Sequence, residues 1–340
     1  MQVPGDWNSQ RDALFFYEGP VCCEKRFAYE KHGDKRVFLY FGAATYKARV
    51  YLNGKKIGEH EGGFTPFDFE VTDNIQTGEN SVVIDVDNSR RPSGVPAMST
   101  DWWNYGGLTR DILLIELPQT FIENDFLQLE KGSLTQVGGW VQLNGSELEQ
   151  KVAVEIPELS IRQEVASDSH GRAEFRFSAK IRNWSPEDPK LCRVIFLTKE
   201  DRPEDSIGFR QIETRGKEIL LNGKPVFLRG ITMHEEASVR GGRAYSREDD
   251  RTLLNWAEEL GCNFVRLAHY PYNEDMARLA DQMGLLVWEE IPVYWGIDWE
   301  NESTLQISQS QMEELIARDQ NRTSAILWSL ERNSARSRPP

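Results

Sequence analysis

The feature that most constrains the fold is a change of pattern late in the chain. Up to about residue 208, short stretches alternate apolar and polar side chains, and turn residues separate them. After that point, short apolar stretches alternate with longer helical patterns. Alternation with frequent turns indicates antiparallel sandwiches, whereas apolar strands separated by helices indicate a parallel sheet. The chain is therefore expected to combine β-sandwich and α/β architecture.

The part that precedes this change predicts two sandwiches. Residues 1–117 contain strand patterns at Val37–Phe41 and Lys47–Leu52, and the pair Asn53-Gly54 is a favoured two-residue hairpin turn. Residues 118–208 repeat the alternation in a weaker form. We therefore expect a first sandwich followed by a smaller, immunoglobulin-like sandwich.

Residues 209–340 predict four units that each combine a strand with a helix. Ser246 and Asn273 are suitable N-caps for two helices, which Gly261 and Gly284 are expected to end. A complete (β/α)8 barrel takes about 250 residues, so four units correspond to the first half of such a barrel or to a smaller open sheet. The predicted strands are Val226–Ile231, "NFVRLAH", "LLVWEE" and "AILWSL".

Charge and composition exclude several classes of partner. The chain has 40 basic and 54 acidic residues and a formal net charge of −14, so nucleic acid and anionic membranes are repelled. No apolar run reaches the roughly 18 residues that cross a bilayer, and the first residues show no signal peptide. The chain as written is expected to be cytoplasmic, or periplasmic or secreted if its N-terminus is truncated.

The sequence predicts no cofactor and no metal ion. It contains no P-loop, no glycine-rich dinucleotide motif and no cluster of His and Cys ligands. Its cysteines, Cys22, Cys23, Cys192 and Cys262, have spacings that fit neither a zinc site nor a disulfide framework. They are expected to be buried free thiols.

Polar residues at the ends of the predicted parallel strands are the strongest functional signal, because such ends meet at one edge of a sheet. His234 follows the first strand, and Arg266 and His269 lie on and just past the second. An arginine inside an apolar strand is costly to bury unless it is paired. Glu289 and Glu290 end the third strand, and we expect one of them to pair with Arg266. A structural ion pair and direct ligand contact remain equally open.

Aromatic residues provide a second signal. Asp101 precedes two tryptophans in "STDWWNYGG", where it is either solvated or accepts hydrogen bonds from hydroxyl groups. Trp288, Trp295, Trp299 and Trp328 offer flat apolar faces that suit sugar rings. A tryptophan in a strand is more often part of the core, so both interpretations remain open.

A set of segments along the chain is more specific than any single signal: "VPGDWN", "ATYKARVYLNGKKIGEHEGGFTPFDFEVT", "DWWNYGGLTRDI", "LNGKPVFLRGITMHEE", "VRLAHYP", "GLLVWEEIP" and "AILWSL". Together they resemble the glycoside hydrolase family 2 enzymes, which include β-galactosidases, β-glucuronidases and β-mannosidases. The resemblance implies a galactose-binding-like jelly-roll at 1–117, an immunoglobulin-like sandwich at 118–208 and a partial TIM barrel at 209–340. It also implies retaining hydrolysis of a terminal β-linked sugar by two carboxylates about 5–5.5 Å apart.

The resemblance implies roles for individual residues. Asp101 would reach the sugar hydroxyls from the first sandwich, and Glu290 would be the buried acid after the third strand. The magnesium ligands of large β-galactosidases in the family fall where this chain has Tyr294 and Gly296, so no required metal is implied. The residues implied to contact the terminal sugar are Asp101, His234, Arg266, His269, Glu290 and Trp328.

The end of the fourth strand departs from the family pattern. The family reads W-S-[LVM]-x-N-E there, and the Glu is the acid/base. This chain continues from Leu330 with Glu331, Arg332 and Asn333, so Asn333 occupies the acid/base position. Asparagine cannot donate or take a proton near neutral pH, and the nucleophile of the family would lie beyond Pro340.

We therefore expect a family 2 glycosidase of the β-galactoside or β-glucuronide type that is inactive as given. Its expected partner is the terminal β-linked sugar of a glycoside or oligosaccharide. One alternative is a non-catalytic carbohydrate-binding protein, and another is an enzyme that a second chain completes. The sequence leaves open whether the chain forms a homo-oligomer.

Overall fold

The computed structural model describes residues 1–330 and contains two antiparallel sandwiches followed by a parallel sheet with helices. This is the fold class that the sequence predicts. Within the described residues, the helices are too short or too polar to cross a membrane.

The first sandwich packs two sheets, ordered β2-β7-β4-β5 and β6-β3-β9, around one apolar core, and β1 pairs with β8. A short helix, α1, covers Trp7–Gln10, and a single 3-10 turn covers Asp12–Leu14. The strands β1 to β9 are Gly5–Asp6, Pro20–Tyr29, Arg36–Phe41, Lys47–Leu52, Lys55–Glu61, Phe67–Glu70, Gly78–Asp87, Gly107–Leu108 and Ile112–Leu117.

The predicted hairpin turn is present between β4 and β5. Asn53 and Gly54 have φ angles of 52° and 81°, which is the left-handed conformation that this pair tolerates well. The turn therefore fixes the register in which β4 pairs with β5.

The second sandwich has sheets ordered β10-β11-β14 and β13-β12-β15-β16, which enclose a separate core. A 3-10 turn at Pro157–Leu159 precedes β13. The strands β10 to β16 are Phe121–Leu129, Gln136–Asn144, Lys151–Ile156, Ile161–Ala166, Arg172–Ser178, Cys192–Leu197 and Glu204–Ile207.

The last part begins with an antiparallel sheet and continues as a four-stranded parallel sheet, ordered β20-β21-β22-β23. The helices are α2, Arg247–Glu259, α3, Glu274–Met283, and α4, Glu302–Asp319. The antiparallel strands β17 to β19 are Ile212–Arg215, Glu218–Leu221 and Lys224–Val226, and the parallel strands β20 to β23 are Gly230–Met233, Phe264–Leu267, Leu286–Glu290 and Ala325–Ser329.

Two helix starts match the prediction, whereas one strand does not. Ser246 forms a capping box with Asp249, and Asn273 caps α3 through the backbone N–H of Asp275. The predicted strand Val226–Ile231 is wrong, because Val226 pairs with Ile219 in the antiparallel sheet and the parallel strand starts only at Gly230.

The four cysteines are free thiols, but the expectation that all are buried is wrong. Cys192 is buried, whereas Cys22 is exposed on β2. Cys22 and Cys23 are neighbours in one strand, so their side chains point to opposite faces and cannot both enter the core.

A buried polar network joins the first sandwich to the parallel sheet. Glu235, just after β20, is fully buried and accepts hydrogen bonds from Arg110 and Arg243. Arg110 also donates to the backbone oxygens of Phe64 at 2.5 Å and Pro271 at 2.6 Å. Since buried charges are stable only when they are paired, this network holds the two parts in one relative position.

Candidate active site

The parallel sheet has an apolar face that contacts helices and a second face that carries charge. Val265, Leu267 and Val287 pack in one core cluster with residues of α2 and α3. Because successive side chains in a strand point to opposite sides, Arg266 and Glu290 lie on the other face, which corresponds to the interior of a barrel. Both groups sit near the C-terminal ends of their strands, where parallel sheets place functional residues.

Arg266 forms an ion pair with Glu290, one of the two glutamates that were expected as its partner. The guanidinium contacts the Oε1 of Glu290 at 2.7 Å and its Oε2 at 2.6 and 3.0 Å. The side chains are 7% and 3% exposed, and Arg266 also lies 4.4 Å from the ring centroid of Trp288. The Ser329 hydroxyl donates to the Oε2 of Glu290 at 3.2 Å. Both oxygens of Glu290 are therefore occupied by protein donors.

His269 connects this pair to the first sandwich. Its Nδ1 lies 2.8 Å from the Oε1 of Glu290, and its Nε2 lies 3.8 Å from the Oδ1 of Asp101. The hydroxyl of Tyr294 donates to the other oxygen of Asp101 at 2.6 Å. Asp101 comes from the segment between β7 and β8, so the site combines residues of the first sandwich with residues of the parallel sheet.

His234 and Trp102 complete the cluster. The ring centroid of His234 is 5.3 Å from that of His269, and the indole of Trp102 lies 5.9 Å from His269 and 5.3 Å from Tyr294. Burial and the neighbouring His269 ring lower the pKa of His234, although Asp101 and Glu290 act in the opposite direction. The neutral form of His234 is therefore favoured.

The structure brings together five of the six residues that the sequence singles out as sugar contacts: Asp101, His234, Arg266, His269 and Glu290. It does not bring Trp328 to them. The indole of Trp328 donates to the Oε2 of Glu289 at 2.7 Å, on the sheet face opposite to Glu290. Glu289 lies on the same face as Val287, the helix-facing side of the sheet, and there burial, followed by the nearby Asp319 carboxylate, raises the pKa of its carboxyl group.

Three residues of the site were missed at the level of sequence. The hydroxyl of Tyr294 contacts Asp101, and the hydroxyl of Ser329 contacts Glu290. The indole of Trp102 lies beside the ring of His269. Tyr294 follows one strand of the parallel sheet and Ser329 ends another, so both lie at the sheet edge where functional residues are expected. Trp102 has no local signal beyond its position next to Asp101.

The predicted acid/base position, Asn333, and the nearby Glu331 lie outside the described residues. Of the family's expected metal positions, Tyr294 supplies a phenol and Gly296 no side chain, so they do not fit a magnesium ion.

The described site is rich in hydrogen-bond acceptors and has an indole wall. Such an arrangement suits a ligand that combines several hydroxyl groups with an apolar ring face.

Comparisons with known proteins identify the family. Residues 14–118 match the model of the "Glycosyl hydrolases family 2, sugar binding domain", and residues 212–338 match the "Glycosyl hydrolases family 2, TIM barrel domain". The chain belongs to glycosyl hydrolase family 2. The sequence resemblance is therefore confirmed, and with it the expected combination of a sugar-binding sandwich and a partial TIM barrel.

The curated relatives in this family have glycosidase names. A putative β-glucuronidase from Formosa agariphila is 33% identical over 313 residues, which cover 87% of this chain and 38% of that protein. A β-galactosidase from Thermoanaerobacter pseudethanolicus is 31% identical over 328 residues, which cover 90% of this chain and 43% of that protein. The chain thus spans about two fifths of the length of these family members.

Solved structures of the family support the same assignment. The β-glucuronidase from Ruminococcus gnavus, determined in complex with D-glucaro-d-lactam, has a TM-score of 0.88 and 26% sequence identity. The match covers 98% of this chain and 61% of that one. The sandwiches and the four-stranded parallel sheet therefore have the arrangement of a family 2 glycosidase.

Proposed function

We propose that this chain forms the pocket for the terminal sugar of a family 2 β-glycosidase, of the β-glucuronide or β-galactoside type. The observation that carries the proposal is the position of Asp101. Its carboxylate accepts a hydrogen bond from Tyr294, which lies 193 positions later in the chain. No local feature of the sequence requires this approach, which brings a carboxylate of the first sandwich to the strand ends.

The chemistry of the pocket supports a sugar ligand. The Asp101 side chain is 42% exposed, so it can accept hydrogen bonds from ligand hydroxyls. His234 and His269 add ring nitrogens at the strand ends, and Trp102 adds an apolar wall. A charge-assisted hydrogen bond contributes about 1.5–3 kcal/mol. One or two such bonds support weak binding after the cost of ordering the ligand.

Binding of simple glycosides tests the proposal. Methyl β-D-glucuronide and methyl β-D-galactoside are titrated into the purified chain and followed by saturation-transfer NMR and calorimetry. Asp101→Asn is expected to weaken binding of the preferred glycoside by roughly tenfold or more, from the lost charge-assisted bond. The matched control is Asp73→Asn, because Asp73 is an exposed aspartate in the same sandwich. Equal affinities for the two variants contradict the proposal.

We also propose that the 340-residue polypeptide does not hydrolyse these glycosides by itself. Asn333 at the acid/base position supports this, since loss of general acid help typically slows reaction about 10²–10⁴-fold. Glu290 is no substitute, because protein donors occupy both of its oxygens. The test is an assay with 4-nitrophenyl glycosides. Turnover by the unsubstituted chain would contradict the proposal. If Glu331→Gln abolished that turnover, Glu331 would be the acid/base.

Binding without turnover also fits a non-catalytic carbohydrate-binding protein. The two functions differ in the ligand that binds best. A glycosidase pocket is complementary to the transition state, so a lactam or imine analogue of the sugar is expected to bind more tightly than the methyl glycoside. Equal affinities for the two ligands favour the binding protein.

A further inference from the structure

Three side chains of the ligand types that bind transition metals meet at the ends of the parallel strands. The potential ligand atoms of Asp101, His234 and His269 all lie within 4.8 Å of one another. Two imidazoles and a carboxylate form a donor set that zinc sites and non-haem iron(II) sites share, whereas magnesium and calcium favour oxygen ligands only. The donor set therefore points to a zinc-like ion.

A second observation supports a metal at this position: the orientation of His269 is fixed from behind. Arg266 contacts both oxygens of Glu290, so Glu290 is a carboxylate that accepts a hydrogen bond from the Nδ1 of His269. In the neutral ring this leaves a lone pair on Nε2. A carboxylate that holds the far nitrogen of a histidine is the usual support of a metal-binding imidazole.

The Nε2 atom of His269 faces a carboxylate oxygen. The Nε2 of His269 lies 3.8 Å from the Oδ1 of Asp101, which is too long for a hydrogen bond. In the neutral form of His269, both atoms offer lone pairs to the space between them. Only a donor or a cation between the two atoms satisfies both.

We propose that Asp101, His234 and His269 bind a divalent ion of the zinc class, and that this ion and the sugar exclude each other. Zinc bonds to nitrogen and oxygen are about 2.0–2.2 Å long, so ligand atoms in a tetrahedral site lie about 3.4 Å apart. The three atoms must therefore approach by roughly 1 Å. Asp101 can make this movement because it lies in a connecting segment and is partly exposed. Water would fill the fourth position.

Cobalt and zinc titrations of the full chain test the proposal. The background is the double variant Cys22→Ser/Cys23→Ser, which removes the exposed thiol of Cys22 and the partly buried thiol of Cys23 on β2. Visible absorption of Co2+ reports on geometry and on any thiolate ligand, and calorimetry reports on the affinity for Zn2+. One equivalent is expected to bind without thiolate bands, and Asp101→Asn and His234→Gln are each expected to weaken it by more than about tenfold.

The control is His32→Gln. His32 is an exposed histidine that lies 3.2 Å from the carboxylate of Glu116 on the surface, so it represents a pair without the third ligand. The proposal is overturned if His32→Gln lowers the zinc affinity as much as His234→Gln does. It is also overturned if Asp101→Asn leaves the zinc affinity unchanged. Circular dichroism of each variant shows whether the fold is retained, so that loss of a metal-binding side chain is distinguished from unfolding. The fold is expected to be retained, because Asp101 is exposed and His234 is only partly buried.

Competition tests the shared position. Zinc is expected to weaken binding of the methyl glycoside in proportion to its occupancy, and undiminished sugar binding at saturating zinc overturns the proposed exclusion. The metal titration is made without sugar, so it stands if the proposed glycosidase pocket fails. A chain that binds sugar but no zinc refutes only the metal site.

Discussion

The strongest prediction for stability concerns the ion pair beneath the pocket. Replacing Arg266 by Met keeps an unbranched apolar side chain over Trp288 but removes three contacts of 2.6–3.0 Å to Glu290. The Glu290 side chain is only 3% exposed, so its charge stays buried with His269 and Ser329 as its partners. Breaking such a buried pair typically costs about 3–5 kcal/mol.

Native-state hydrogen exchange is the suitable assay, because a chain with several cooperative units does not unfold in one step. A loss of 3–5 kcal/mol in local opening free energy corresponds to roughly 150- to 5,000-fold faster exchange. The increase is expected in the backbone amides of β21 and β22, whereas amides of the second sandwich should keep their exchange rates.

The double variant Arg266→Met/Glu290→Leu separates the charge from the packing. Replacing a buried ion pair by apolar residues of similar volume is often neutral or stabilising, so we expect the double variant to recover most of the protection that Arg266→Met loses. The reasoning is refuted if Arg266→Met accelerates exchange less than about tenfold, or if the double variant is as unprotected as the single one.

Three further predictions concern pH, the interface and the sheet. Burial lowers the pKa of His234 below 6.5, so the folded state binds fewer protons than the unfolded state. The free energy of unfolding should therefore fall as the pH drops below about 6.5. Urea titrations at several pH values should show a smaller dependence on pH for His234→Gln. Glu235→Gln leaves Arg110 and Arg243 without their shared carboxylate, so calorimetry should show weaker sugar binding although the buried Glu235 is not among the proposed sugar contacts. An unchanged affinity would mean that the network does not position Asp101. Trp328→Phe should change the sugar affinity by less than about twofold from that of the unsubstituted chain, because Trp328 lies on the helix-facing side of the sheet. A larger loss of affinity would mean that Trp328 contacts the sugar.

Much of the fold could be predicted from local patterns. The Asn53-Gly54 turn and the caps at Ser246 and Asn273 are encoded by neighbouring residues, and each is present as predicted. The first strand of the parallel sheet was misplaced because Val226 is apolar in either sheet. Its pairing with Ile219 depends on an antiparallel partner that periodicity alone does not reveal.

The site was predictable to the extent that strand ends determine it. The cost of burying an isolated arginine predicts that Arg266 pairs with Glu289 or Glu290, and the structure selects Glu290. The position of Asp101 came from the family resemblance, because its partners lie in a different part of the chain. The face on which Trp328 lies was not predictable, because the register between β22 and β23 shifts between Val287 and Trp288.

The contacts that hold the pocket together had no sequence signal. Arg110 and Glu235 are 125 positions apart, and each is an ordinary charged residue in its local context. Their burial and pairing arise only when the first sandwich contacts the sheet. The same applies to Tyr294, whose hydroxyl finds Asp101 across that interface.

The most direct test of the central claim uses the histidines as reporters. The chain has five of them, and only His234 and His269 lie in the proposed sugar pocket, whereas His32, His60 and His170 lie in the sandwiches. In a chain with 13C-labelled histidine, saturation with the preferred methyl β-glycoside is expected to shift the ring signals of His234 and His269 and to leave the other three unchanged. Unchanged signals for both pocket histidines while the glycoside binds would contradict the account.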